Sequence, residues 1–217
     1  MENFKNKNIK PLVPTIIIDD FFESPSLWLE YAKQLEYFKG DRGTWPGYRS
    51  DLFSNMNTEL QNIIDNKLLQ HLFEFDKFTK NDISIQCVSE EWGQGWIHDD
   101  DPKFYGAAGV IFLNKKYPKN TGTTIYNQQI DPSYEKFGNI FFDDVTDVER
   151  KHNDLYLKHQ QEQKQMFKET IKVEGRYNRC LIFDPRQWHA ADNYFGTSKD
   201  DSRYTIVFFV NNKDSLN

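Results

Sequence analysis

The sequence predicts an α+β protein in which an N-terminal helical layer packs on an antiparallel β-sandwich or jelly roll. Three observations carry this. Two helical periodicities fill the first third of the chain, short β-branched and aromatic runs broken by turns fill the rest, and one polar helical pattern interrupts those strands. At 217 residues the chain is long enough to bury a sizeable core. Only 38% of residues are apolar, but 18 Phe, 11 Tyr and 5 Trp supply large rings for the core positions. No solenoid repeat or low-complexity linker divides the sequence. Residues 1–217 are therefore read as one domain: an N-terminal strand and helical support over 1–78, then a β core over 79–212 with a helical insertion at about 144–168.

The elements follow in order. Val13 to Ile18 is a short β-branched run ended by Asp19-Asp20. Ser24-Pro25-Ser26 opens a helix over Leu27 to Phe38, with Leu27, Tyr31, Leu35 and Phe38 at helical spacing. Gly40 to Ser50 is loop-like, punctuated by Gly40, Gly43, Pro46 and Gly47. Asn57 to Phe75 reads as a second helix, with Leu60, Ile63, Ile64, Leu68 and Leu72 on one face. The period then changes: Ile83 to Val88, Ala107 to Leu113 and Thr123 to Tyr126 read as strands. Asp144 to Lys168 is a charged, Gln-rich helix with a weak stripe of Val148, Leu155 and Phe167. Glu169 to Val173, Leu181 to Phe183 and Tyr204 to Val210 complete the strands.

Charge and composition remove several function classes. The net charge is −6 and the pI about 5.4, which argues against a protein that coats nucleic-acid phosphates. No apolar run approaches bilayer length, and the polar start of the chain has no secretory h-region, so a cytoplasmic protein without a membrane partner is expected. Cys87 and Cys180 are expected to be reduced core thiols.

There are five histidines. His71 falls in the second helix, and His152 and His159 in the polar one, about 10.5 Å of rise apart, too far to share an ion. No His-Glu-x-x-His, Cys-x-x-Cys, P-loop or Gly-x-Ser-x-Gly pattern occurs, and Gly93-Gln94-Gly95 lacks the rest of a nucleotide fingerprint. His98 and His189 differ from the other three. His98 stands in Trp96-Ile97-His98-Asp99-Asp100-Asp101-Pro102, where an extended backbone turns His98 and Asp100 to one side. His189 follows a strand and a turn, Phe183-Asp184-Pro185-Arg186-Gln187. Two histidines and one carboxylate make the facial triad that leaves positions open on non-haem Fe(II). The triple-Asp run also reads as a solvated turn or a hard-cation loop. Arg203 opens the apolar strand Tyr204 to Val210, where a lone guanidinium is expensive unless it meets an anion, a carboxylate above all.

His98-x-Asp100, then His189, then Arg203 leading an aromatic strand, resembles the 2-oxoglutarate- and Fe(II)-dependent oxygenases, most of all the prolyl 4-hydroxylase-type group and its phage and bacterial members. Val110 to Asn114, Thr121-Gly122-Thr123-Thr124-Ile125-Tyr126, Tyr177 to Phe183 and Thr44-Trp45-Pro46-Gly47-Tyr48-Arg49 resemble further segments of that group, so the likeness covers most of residues 40–212. It implies a double-stranded β-helix, a jelly-roll, cupin-like core, with Fe(II) held by His98, Asp100 and His189. It also implies 2-oxoglutarate on two further positions with its distal carboxylate on Arg203, O2 on the last, and hydroxylation of a substrate C–H with release of succinate and CO2.

Two departures stand out. Phe112 occupies a position where these hydroxylases usually carry a tyrosine that touches 2-oxoglutarate, so Thr205, Tyr105 or Thr124 would supply that contact. The stretch from Ala190 to Ser202 is longer than usual. The 40–50 loop reads either as an ordinary surface loop or as a lid bringing Trp45 and Arg49 to the substrate. A cupin-type metal enzyme without 2-oxoglutarate and a non-catalytic jelly-roll module are the alternative classes. The substrate, small-molecule or peptidyl, is not written in these residues.

Overall fold

The computed structural model describes residues 13–39, 45–72, 78–100, 105–128 and 154–212. In chain order the elements are β1 (Ile16–Ile18), α1 (Pro25–Gln34), β2 (Phe38–Lys39), β3 (Tyr48–Arg49), α2 (Phe53–Met56), α3 (Thr58–Leu69), β4 (Phe78–Val88), β5 (Tyr105–Phe112), β6 (Thr123–Gln128), α4 (Asp154–Gln165), β7 (Phe167–Val173), β8 (Cys180–Phe183), β9 (Trp188–Ala191) and β10 (Arg203–Asn212). A 3-10 turn at Glu90–Trp92 follows β4. Among the described residues the strands form a larger sheet, β1-β8-β5-β10-β4-β3-β2, and a smaller one, β7-β6-β9. Every pairing is antiparallel. From β5 onward the chain passes to the smaller sheet for β6 and β7, back for β8, across for β9 and back for β10. That crossing pattern is the jelly roll expected from the alternation of short strands.

Side-chain alternation gives the larger sheet two buried faces. Ile83, Ile85 and Cys87 of β4 and Tyr204, Ile206 and Phe208 of β10 pack beneath Trp28, Ala32, Phe53, Ile64 and Leu68 of the helices. The residues between them face the smaller sheet, where Ala108, Phe112, Leu181 and Phe183 meet Ile125 and Val173. Burying each large apolar side chain contributes about 1.5–3 kcal/mol, so both interfaces hold the sandwich together. The site lies on the inner face.

Several boundaries differ from expectation, each for a local reason. α1 begins with Pro25 in its first turn and stops at Gln34, because Leu35 turns extended and Phe38–Lys39 pairs with Tyr48–Arg49. The expected second helix is α3 alone, and a separate short helix, α2, precedes it. Asn57 caps α3 by accepting the Leu60 N–H at 3.0 Å, and α3 ends at Leu69, short of Phe75. The loop expected over 40–50 ends in β3, and residues 40–44 lie outside the described set. Of the insertion helix the structure describes 154–165; Val148 lies outside, and Phe167 begins β7 instead. Both cysteines are free and buried. Among the described residues no helix is long and apolar enough to cross a membrane.

Candidate functional site

The two histidines of the expected triad lie directly opposite each other, His189 in β9 and His98 in the segment beside it. His98 N–H donates to the His189 carbonyl at 3.0 Å and His189 N–H to the His98 carbonyl at 2.8 Å, an isolated bridge at the edge of β9. A little upstream, Gly95 N–H donates to the Ala191 carbonyl at 3.0 Å. A Cβ on Gly95 would lie 3.0 Å from the Ala191 nitrogen, so glycine lets these backbones meet. Directly opposed residues share a face, and the ring centres of His98 and His189 are 4.4 Å apart.

Each ring is turned by the same local contact. His98 Nδ1 lies 2.8 Å from the Trp96 carbonyl oxygen, and His189 Nδ1 lies 2.8 Å from that of Gln187. A carbonyl only accepts, so these partners assign the proton to Nδ1 and leave an Nε2 lone pair on each ring. Asp100 faces those lone pairs: Oδ1 is 3.9 Å from His98 Nε2 and Oδ2 is 3.5 Å from His189 Nε2. Ligand-capable atoms of the three residues lie within 4.8 Å of one another. His189 is buried against Phe183, with ring centres 4.4 Å apart, and burial together with the neighbouring His98 pushes its pKa down to about 4. It is neutral at pH 7, the form that ligates metals. Asp99 is exposed, and Asp101 lies outside the described residues.

A single turn positions the other two members. Asp184, 1% exposed, accepts the Arg186 backbone N–H at 3.0 Å and two guanidinium hydrogen bonds at 2.9 and 2.6 Å. Its carbonyl accepts the Gln187 N–H at 2.9 Å, closing the turn. Within it, the Pro185 carbonyl takes the Asp100 N–H at 2.8 Å and Gln187 offers its carbonyl to His189. In the sequence only the Asp184-Pro185-Arg186 tripeptide signals this role for the turn.

Arg203 lies on the inner face at the start of β10 and is 2% exposed. Its Nε has no hydrogen-bond partner, and its guanidinium carbon stands 5.4 Å from the ring centre of Phe112 and 5.6 Å from that of Tyr194. Thr205, fully buried, lies two residues on, and its hydroxyl also has no partner. Buried polar groups are normally satisfied, so the Arg203 Nε and the Thr205 hydroxyl are two groups on one face that an anion would satisfy. Tyr194 was not anticipated; it comes from the long stretch between His189 and Arg203, which folds back so that the Phe195 carbonyl accepts the Arg203 N–H at 3.2 Å.

Other expected contacts fall elsewhere. Thr124 is a correction: it pairs with Ala190 on the outer face of the smaller sheet and donates its hydroxyl to Asp192 at 2.5 Å, away from the histidines. The period-two alternation of β6 decides this, because Ile125, opposite His189, takes the inner face. Tyr105 opens β5 opposite Asn211, at the far end of the strand from Phe112, and its side chain lies outside the described residues. Tyr117 does not replace the hydroxyl missing at Phe112, since its own contacts Asn114 at 3.3 Å and the Tyr204 carbonyl at 3.2 Å.

Trp45 and Arg49 sit on the inner side. Phe112, Thr205, Gln86 and Arg49 stand in one cross-strand row, and the Arg49 guanidinium carbon lies 4.6 Å from the Trp45 ring centre. Gly47, at φ +70°, lets the Trp45 turn close on β4, since a Cβ there would lie 2.4 Å from the Cys87 oxygen. Gln86 donates its amide to the Pro46 carbonyl at 2.9 Å.

The residues fit the two groups the fold implies. Two imidazoles and a carboxylate suit a first-row divalent ion, and the Arg203–Thr205 pair suits a carboxylate. Over residues 4–209 the sequence matches a family model described as a family of unknown function, DUF6445. No curated protein matches the chain. Among solved structures, the fold is similar to a Trichoplax adhaerens prolyl hydroxylase in complex with a hypoxia inducible factor oxygen degradation domain peptide fragment (TM-score 0.57, 11% identity, 93% of this chain and 84% of that one). It is similar also to HygX from Streptomyces hygroscopicus with nickel and 2-oxoglutarate bound (TM-score 0.55, 10% identity, 93% and 84%). A third is SnoN, a non-heme alpha ketoglutarate dependent epimerase from nogalamycin biosynthesis (TM-score 0.52, 10% identity, 90% and 77%). The fold is that of the double-stranded β-helix oxygenases.

Proposed function

We propose that this chain, which belongs to the DUF6445 family of unknown function, is an Fe(II)- and 2-oxoglutarate-dependent dioxygenase that hydroxylates a C–H bond of a small-molecule or peptidyl substrate. The observation that carries this reading is the combination, inside one sandwich, of the His98–Asp100–His189 cluster with a buried, unpaired Arg203. Bound there, the metal and co-substrate supply O2 activation coupled to decarboxylation, with succinate and CO2 as co-products.

The chain supplies geometry and charge. His98 and His189 offer Nε2 lone pairs whose direction is set by the Nδ1 contacts, and Asp100 adds a negative charge between them. Arg203, its guanidinium near the rings of Phe112 and Tyr194, pairs the distal carboxylate of 2-oxoglutarate. Thr205 donates its spare hydroxyl to the same carboxylate, taking over the contact that a tyrosine at Phe112 would make. Trp45 and Arg49 wall the substrate side and keep water from the reacting C–H.

The test is anaerobic titration of the Fe(II)-loaded protein with 2-oxoglutarate. The expected result is a visible charge-transfer band at one equivalent of metal, with succinate formed once O2 is admitted. Metal binding without the band would overturn the use of 2-oxoglutarate. Failure to bind Fe(II) would overturn the reading as a whole.

A further inference from the structure

We infer that Gln163, on the insertion helix α4, is a positioning residue for His98: its side-chain amide stands in for a neighbouring strand and fixes the backbone from which His98 projects. This rests on the reading of His98 as a metal ligand.

The backbone geometry leads to it. His98 turns its own N–H and C=O toward His189, so in an antiparallel ladder Ile97 turns its N–H and C=O the opposite way. Among the described residues no strand receives them. Gln163 does: Oε1 accepts the Ile97 N–H at 3.1 Å, and Nε2 donates to the Ile97 carbonyl at 2.7 Å. A primary amide carries the same donor and acceptor as a peptide group, so this edge is completed by a side chain.

Both peptide planes that flank Ile97 are thereby pinned. The Ile97 N–H is coplanar with the Trp96 carbonyl, and that carbonyl faces His98 Nδ1 at 2.8 Å. The Ile97 carbonyl is coplanar with the His98 N–H, which donates to His189. Gln163 thus holds the unit that aims the ring and the unit that docks the strand.

One helical turn earlier, Gln160, 3% exposed, holds Gln94 through one backbone and one side-chain hydrogen bond. Gln160 Nε2 donates to the Gln94 carbonyl at 3.2 Å, and Gln94 Nε2 donates to Gln160 Oε1 at 3.0 Å. Lys164 adds a contact to Gln94 Oε1. The Gln-rich composition of the helix is what makes this possible. His98 needs the support more than its partner, since its side chain is 53% exposed against 9% for His189.

The experiment is Co(II) titration of the full chain, followed by visible absorption, in wild type, Gln163→Leu, Gln163→Glu and His98→Ala. Losing a partner that orients a ligand typically weakens metal affinity by about 10–100-fold. Gln163→Leu is expected to do so and to alter the Co(II) spectrum. Gln163→Glu, which keeps only the acceptor for the Ile97 N–H, is expected to lose less. If Gln163→Leu fails to fold, Gln163→Glu alone decides. In the His98→Ala background the position-163 substitutions are expected to have no further effect on affinity, which a general loss of structure would not reproduce. Unchanged affinity and spectrum in the position-163 variants, or an equal loss with and without His98, would overturn the inference. If wild type binds no Co(II), the metal-site reading falls first.

Discussion

Arg203 and Thr205 stand two residues apart on the same face of β10, and among the described residues neither the guanidinium Nε nor the hydroxyl has a hydrogen-bond partner. Both are buried. A folded chain does not leave a cation and a hydroxyl unsatisfied side by side without a use for them, and the stability forgone there is recoverable by mutation.

Replacing Arg203 with Met should therefore separate stability from binding. The charge-assisted contact to a carboxylate is worth about 1.5–3 kcal/mol, so 2-oxoglutarate affinity should fall by about 10- to 150-fold. The melting temperature of the ligand-free protein should rise, because an unpaired buried charge has gone. Arg203→Lys should bind poorly as well, since an ammonium makes no two-pronged contact. Calorimetric titration and thermal unfolding on the same samples check this, and unchanged 2-oxoglutarate affinity would refute the assignment.

Thr205→Val removes one hydroxyl at nearly constant shape. The affinity for 2-oxoglutarate should drop by about 2- to 13-fold, the worth of a single hydrogen bond of about 0.5–1.5 kcal/mol. Stability without ligand should not fall, because that hydroxyl bonds nothing in the protein. By contrast Thr124→Val, which breaks the bond to Asp192, should leave the affinity untouched.

Asp192 gives a pH signature. Burial raises its carboxyl pKa above the ordinary value, and the Thr124 hydroxyl offsets only part of this. A carboxyl raised in the folded state binds its proton more tightly there than in the unfolded chain. Its stabilising contribution is present below the unfolded pKa, about 3.9, and is lost as pH rises through the folded value. Asp192→Asn keeps an oxygen for Thr124 and should raise the melting temperature at pH 7. That gain should shrink as the pH is lowered toward 4.

Trp45→Ala probes the substrate wall. It should slow hydroxylation of substrate while leaving 2-oxoglutarate decarboxylation in the absence of substrate nearly unchanged. Parallel assays of succinate and hydroxylated product measure the two, and equal losses in both would remove Trp45 from the wall.

Spacing along an extended segment puts His98 and Asp100 on one side, and Arg203 is conspicuous at the head of an apolar strand, but it is the family resemblance that joins His189 to them. Face assignment at Thr124 was not legible. It depends on which strand β6 meets and in what register, and a Thr-Thr pair offers a hydroxyl to either face. The early end of α1 escaped for a related reason: Phe38 continues the helical stripe but is taken by a strand pairing with Arg49. Gln163 was invisible because its partner Ile97 lies far along the chain and is met at its backbone, and Tyr194 because no pattern in the stretch before Arg203 says which ring folds back on it.

β10 occupies the middle of the larger sheet, between β5 and β4, yet it is the last of the described strands to leave the ribosome. Until it arrives, β4 and β5 are two bare edges facing a gap one strand wide, the kind of surface that recruits strands from other chains. The same segment carries Arg203 and Thr205, so closing that gap also brings both groups to the inner face. A nascent chain could bring His98, Asp100 and His189 together before this, but it would lack the strand that carries Arg203. Under the proposed function, the strand that shuts the sheet is therefore also the one that completes the co-substrate site.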